Sequence, residues 1–206
     1  NKNFFFKKLN ITDFKKINNF TKQYKINYII HLAAQAGVRN SIKNPKEYFD
    51  SNLLGFFNIL EVSRMNKVKH LVFASTSSVY GNSKNFPLKE TENTDRPESF
   101  YAASKKCNEV MAYSYSAIYK LKLTALRFFT VYGPYGRPDM ALYKFVEKTL
   151  NNQSIELYNK GKHIRDFTFI DDIVDPIIKL IKKPSNKSVP FEIYNIGSEQ
   201  PIKLVN

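Results

Sequence analysis

The run His70-Leu71-Val72-Phe73-Ala74-Ser75-Thr76-Ser77-Ser78-Val79-Tyr80-Gly81 decides the fold. Its first five residues form a short apolar run of the length of a buried strand. Consecutive hydroxyls follow, and Gly81 then marks a turn. Open α/β sheets bind ligands just beyond the carboxyl ends of their strands, so hydroxyls at such a point face a ligand cleft. A Ser/Thr-rich turn with no ligand is the plainer reading of the same residues.

Working outward, Tyr28–Leu32, Leu123–Phe128 and Phe191–Ile196 read as further buried strands. Amphipathic stretches lie between them. One helix starts near Asn44-Pro45, an N-cap followed by proline, and its apolar stripe is Phe49, Leu53, Phe57 and Leu60. A second runs from about Phe100 to Tyr119 and a third follows Pro138-Asp139. A fourth follows Asp171-Asp172, with Ile173, Ile177, Leu180 and Ile181 on one face. Strand–helix alternation predicts an α/β fold around a parallel sheet. Beyond Gly133 the pattern is punctuated by Pro134, Pro138, Pro184, Pro190 and Pro201, which predicts a smaller second lobe over 134–206.

The 206 residues carry 32 Lys+Arg against 18 Asp+Glu, a formal net charge of +14. A basic balance invites a nucleic-acid reading. The excess is 26 Lys against 6 Arg beside 21 Asn, a pattern that A/T-rich codons produce without any binding role. The lysines are spread along the sequence, densest over Lys2–Lys25, and no basic helix or aromatic RNA-binding strand accompanies them. Solvated surface is the expected role, with no nucleic-acid or membrane partner. A hydrophobic share of 43% with 17 Phe and 13 Tyr supplies a core. Cys107 alone cannot form a disulfide framework and is expected to pack. His31, His70 and His163 lack ligand spacing, so no metal site is expected.

The sharpest local feature is Tyr101-Ala102-Ala103-Ser104-Lys105. Tyr and Lys four apart share one face of a helix. An ammonium beside a phenol favours the phenolate, and a phenol so tuned is a general acid/base. By itself the pair is also what a surface tyrosine and a solvated lysine would give. Strand-end hydroxyls followed at this interval by Tyr-x-x-x-Lys are far more specific than either part.

With these residues the chain resembles the extended short-chain dehydrogenase/reductases, and among them the nucleotide-sugar 4-epimerases, UDP-glucuronate 4-epimerases above all. The likeness runs in order through His31–Arg39, Asp50-Ser51-Asn52, the hydroxyl cluster and Tyr101–Lys105. It continues through Leu126–Pro134, Gly136–Met140 and Arg165–Asp172. The resemblance implies a Rossmann-type doubly wound sheet over 1–133, and a substrate lobe from which segments near 165–183 and 191–196 return to the first domain. It implies C4 epimerisation of a UDP-sugar with bound NAD, through a 4-keto intermediate. Tyr101 would exchange the C4 hydroxyl proton, Lys105 would hold the nicotinamide ribose and depress the Tyr101 pKa, and Thr76 would orient the C4 oxygen. Leu32, Ala33, Ala34, Gln35, Ser51, Ser75 and Phe128 would contact NAD. Ser77, Ser78, Thr130, Tyr158 near the uracil, Arg165 on the diphosphate and Arg137 on a sugar carboxylate would contact substrate. An ion pair with Asp139 is the alternative for Arg137, and pairing with Asp166 the alternative for Arg165.

Ser77 and Ser78 stand where dehydratase and decarboxylase relatives usually carry acids, which favours simple epimerisation. UDP-glucose or UDP-N-acetylglucosamine as substrate, another activity of the same family, or a non-catalytic basic binding module are the alternatives. A glycine-rich G-x-G-x-x-G run is absent from the chain. The resemblance therefore predicts a fragment that starts near the family's third strand at Phe4-Phe5-Phe6 and stops before the last substrate-lobe elements. Such a piece is expected to leave the strand near residue 30 as an apolar edge and to hold NAD weakly. A cytoplasmic homodimer, joined through helices near 45–66 and 100–119, is the expected setting of the whole enzyme.

Overall fold

A computed structural model describes residues 4–156, 161 and 164–203. In chain order the strands are β1 (Tyr28–His31), β2 (His70–Thr76), β3 (Leu123–Phe128), β4 (Thr130–Tyr132), β5 (Ile164–Phe169), β6 (Phe191–Ile196) and β7 (Pro201–Lys203). The helices are α1 (Phe14–Gln23), α2 (Val38–Lys43), α3 (Pro45–Tyr48), α4 (Gly55–Met65), α5 (Phe100–Tyr119), α6 (Ala141–Leu150) and α7 (Ile170–Ile181). A π-helical turn, Phe49–Leu54, joins α3 to α4.

The main sheet has the order β1-β2-β3-β6, all parallel. Alternation along β2 shows how it is covered. Leu71 and Phe73 pack with Phe56 and Leu60 of α4 and Ala112 of α5, whereas Val72 packs with Leu126, Ile173 and Ile177 of α7 and Ile196. Successive side chains thus feed two cores on opposite faces, the doubly wound arrangement that the parallel run predicts. β4, β5 and β7 make a separate small sheet, with β4 parallel and β7 antiparallel to β5.

Some expectations differ from the structure. Phe4, Phe5 and Phe6 lie in an irregular segment and are exposed, so no strand forms there. Phe5 instead stacks on Phe20 of α1, which gives the apolar side chain a partner without any ladder. In the α3–α4 run Phe49 and Phe57 face outward, and only Leu60 of the expected stripe is buried. The buried line is Tyr48, Asn52, Phe56, Ile59 and Ser63, one residue earlier. Its polar members are accommodated by hydrogen bonds, as when Ser63 donates to the Ile59 carbonyl at 2.7 Å. Cys107 is exposed on α5 rather than packed.

Six of the lysines spread through the sequence are gathered in space. Lys22 and Lys25 precede β1, Lys67 and Lys69 precede β2, and Lys120 and Lys122 precede β3. Parallel strands in register place all of these at the strand-start end of the sheet, where α1, α4 and α5 terminate. Cations there complement the negative ends of the helix dipoles. At the same end His70, fully buried, lies 2.9 Å from both the Ile181 carbonyl and the Thr124 hydroxyl, fixing the end of α7 to the sheet.

Candidate active site

The opposite, carboxyl end of the sheet collects Thr76, Tyr101, Lys105 and several of the other residues singled out above. β2 ends at Thr76, level with Phe128 of β3 and Ile196 of β6. The chain then tightens into a short 3-10 turn, Ser77–Tyr80, whose cap is Thr76 itself: its hydroxyl accepts from the Ser78 amide at 3.2 Å. Thr76 also donates to the Ser78 hydroxyl at 3.2 Å. Gly81 follows at φ +57, and a Cβ there would sit 2.7 Å from the Arg96 carbonyl. Only glycine lets the hydroxyl cluster press against the segment that leads into α5.

α5 begins at the Ser99 cap, whose hydroxyl accepts from the Ala102 amide at 3.1 Å. Its first turns place Tyr101 and Lys105 on the face toward β2. Lys105 is 3% exposed and its ammonium donates to the Ala74 carbonyl at 2.9 Å. Burial pulls its pKa down to about 8. For Tyr101, burial pushes the phenol pKa up, while the Thr76 hydroxyl and the Arg137 charge pull it down. The net direction is upward, which differs from the depressed value expected from Lys105, because desolvation outweighs the stabilising contacts. Tyr48, fully buried, meets the Tyr101 ring edge-on at 6.1 Å, and its hydroxyl lies 2.8 Å from the Ala36 and Gly37 carbonyls.

Leu32, Ala33, Ala34 and Gln35 form the loop after β1, with Leu32 exposed. Asn52 shapes this loop. It is 1% exposed, accepts from the Gln35 amide at 2.8 Å, and donates to the Gln35 carbonyl and the Ser104 hydroxyl, both at 3.0 Å. Ser51 sits beside it in the π turn, half-buried. Ser75 is 3% exposed and its hydroxyl donates to Glu109 at 2.6 Å, so the side chain is committed to the protein. Phe128 and Ser77 are half-buried. A nicotinamide ribose fits these groups: the buried Lys105 ammonium carries three protons and gives one to Ala74, leaving donors for ribose hydroxyls.

Arg137 is bidentate on Asp139, Nε at 2.9 Å and Nη2 at 2.6 Å, on the solvent side of the site. Its guanidinium would lie 3.7 Å from a Cβ at Gly37, which stands at φ +108, and its charge reaches Tyr101. Arg137 and Thr130 also line a largely apolar cleft of about 540 Å³ with Tyr132, Met140, Tyr143 and Leu150. Arg165 is exposed on β5 and donates to the Ile164 carbonyl at 2.9 Å. It does not pair with Asp166, which is buried and accepts from Ser198 and Thr168. Tyr158 lies outside the described residues. Among the described residues no cluster of His, Cys, Asp and Glu could hold a metal ion. Sequence reasoning gave no role to Tyr48, Asn52 or Glu109, because a buried polar residue leaves no mark in hydrophobic periodicity.

A curated protein from Staphylococcus aureus, Protein CapI, is 46% identical over 217 residues, covering 98% of this chain and 65% of its own length. A probable UDP-glucuronate 4-epimerase from Rhizobium meliloti is 47% identical, covering 86% of this chain and 56% of its own. The chain thus spans less than two thirds of either relative. Among solved structures, UDP-glucose 4-epimerase from Thermotoga maritima, with UDP-glucose, superposes at a TM-score of 0.91 and 31% identity over 100% of this chain and 66% of that one. UDP-glucuronic acid 4-epimerase from Bacillus cereus, in complex with UDP-glucuronic acid and NAD, does so at 0.81 and 30%, over 94% and 59%. The model of the NAD dependent epimerase/dehydratase family matches residues 1–197. With the Tyr-x-x-x-Lys helix set against a hydroxyl cluster on a doubly wound sheet, the chain belongs to that family.

Proposed function

We propose that the protein is an NAD-dependent UDP-sugar 4-epimerase whose substrate is UDP-glucuronate. The observation that carries the reading is Tyr101 held between the Thr76 hydroxyl and the Arg137 charge, with Lys105 one helical turn away. NAD bound beside Lys105 supplies a reversible hydride acceptor for C4 of the sugar. Tyr101 takes the C4 hydroxyl proton and returns it after the 4-keto sugar has turned over. Thr76 holds the C4 oxygen, and Ser77 and Ser78 extend the donor row along the sugar. Burial favours the protonated phenol, suited to returning the proton; Thr76 and Arg137 stabilise the phenolate that removes it. Arg165 and Tyr158 remain our candidates for the diphosphate and uracil, and Leu32–Gln35 for the cofactor.

Arg137 supports the glucuronate assignment because a guanidinium fork matches a carboxylate, and here it already grips one, Asp139. The same pair favours a second reading. An Arg137 retained by Asp139 would leave an uncharged sugar as the substrate, as with UDP-glucose. The protein expressed from its complete reading frame and its Arg137→Ala variant decide between them. For a glucuronate enzyme, Arg137→Ala lowers kcat/KM for UDP-glucuronate about 100-fold, the worth of a charge-assisted bidentate contact. Any turnover of UDP-glucose would fall far less. Equal losses on both sugars would overturn the carboxylate role.

A further inference from the structure

Ser75 of β2, Arg127 of β3 and Asn195 of β6 are register partners, one polar rung across adjacent strands. Glu109 of α5 closes it. Its carboxylate accepts from Ser75 at 2.6 Å and from Arg127 Nε and Nη2 at 2.9 and 2.8 Å. Arg127 and Glu109 are both 2% exposed. The remaining guanidinium nitrogen donates to the Tyr80 hydroxyl at 2.9 Å, and Tyr80 donates to Asn195 at 2.6 Å. The Asn195 amide donates to Glu90 at 2.7 Å and its side chain to the Leu88 carbonyl at 2.9 Å. The rung thereby also ties down the loop that runs from the hydroxyl cluster to α5.

Burying an ion pair is a poor way to gain stability, since apolar side chains of similar volume serve as well or better. What the pair adds is direction. Glu109 lies four residues beyond Lys105 and eight beyond Tyr101, on the same helix face. Lys105 holds the Ala74 carbonyl and Glu109 holds Ser75. α5 is therefore fastened to β2 at consecutive residues, just before Thr76. A slip of one residue along a helix moves a side chain by about 1.5 Å. An error of about 1 Å at a reacting group can lower the rate about 100-fold.

We propose that Glu109 and Arg127 are positioning residues that set the register of α5 on β2 and so hold Tyr101 against Thr76. The consequence for turnover rests on the epimerase reading; the placement of Tyr101 does not. The test uses the protein from its complete reading frame with the paired replacement Arg127→Met and Glu109→Leu, its folding checked by thermal melting. kcat is expected to fall about tenfold or more with KM held within about twofold. Tyr101 ionisation, read as the ultraviolet difference between each protein and its Tyr101→Phe counterpart, is expected to move away from that of the parent as the surroundings of the phenol change. Ser75→Ala, which leaves the ion pair whole, gives a smaller change in the same direction, and Ser75→Thr restores it. A folded double variant with unchanged kcat and an unmoved Tyr101 titration overturns the proposal. If the double variant does not fold, Ser75→Ala decides, and a wild-type titration in it is equally fatal. Should the parent protein turn over no UDP-sugar, the substrate-free titration judges the positioning role alone.

Discussion

Two histidines lie buried at opposite ends of the central sheet, His31 at the close of β1 and His70 at the start of β2. Burial, helped by the Lys105 charge, pushes His31 down to about 3. Burial also lowers His70, against the opposing bond to Ile181. Both are neutral in the folded protein near neutral pH. The unfolded chain takes up protons first, so their contribution is intact above about pH 6.5 and is lost as pH falls through that value toward the folded pKa. Between about pH 7 and pH 4 the melting temperature should drop, and His31→Phe should lessen the drop by removing one such site. An unchanged pH slope in that variant would show that His31 does not titrate on unfolding. A neutral His31 also spares the nearby Lys105 a second positive charge.

Each of α1, α4 and α5 ends on a lysine in the left-handed region, Lys25 at φ 48, Lys67 at φ 53 and Lys120 at φ 57, where glycine is the usual occupant. The conformation costs an L-residue about 1 kcal/mol, whereas a cation at a helix C-terminus returns about 0.3–1 kcal/mol. Lys120 gains further by donating to the Ser188 carbonyl. For Lys67, whose side chain makes no such bond, the strain should win: Lys67→Gly should stabilise by about 0.5 kcal/mol, measured by urea unfolding. The four strands of the main sheet and α5, α6 and α7 were legible in the sequence, whereas α1, α2 and the strands of the small sheet were not. α5 and the four main strands fall where the apolar runs and the amphipathic stretch place them, because local pattern and tertiary burial agree there. The α3–α4 run was misphased because its core line includes Asn52 and Ser63, whose burial depends on partners distant in sequence or on the helix backbone. That Thr76, Tyr101 and Lys105 come together was legible through their spacing. Glu109 and Arg127 were not, since their pairing exists only once α5 lies across β2 and β3.

At the scale of the molecule, the main sheet among the described residues stops at β1, with Ile30 and the following Leu32 exposed, an open edge able to accept another strand. A second apolar area lies over the outward residues Phe49, Leu54 and Phe57 of the α3–α4 run and Val110 and Tyr113 of α5. It is the face that the homodimer expected from the sequence would bury. Phe57→Asp should shift the sedimentation profile toward monomer, and an unaltered profile would remove that face from consideration. No helix among the described residues is long and apolar enough to cross a membrane. Lys22, Lys25, Lys67, Lys69, Lys120 and Lys122, at the strand-start end, lie opposite the cleft at the carboxyl end of the sheet. That lysine group gives a negatively charged support a place to bind. Loaded onto a sulfonated resin at low salt, the protein should stand on its lysine-rich base with the cleft turned toward the flowing buffer.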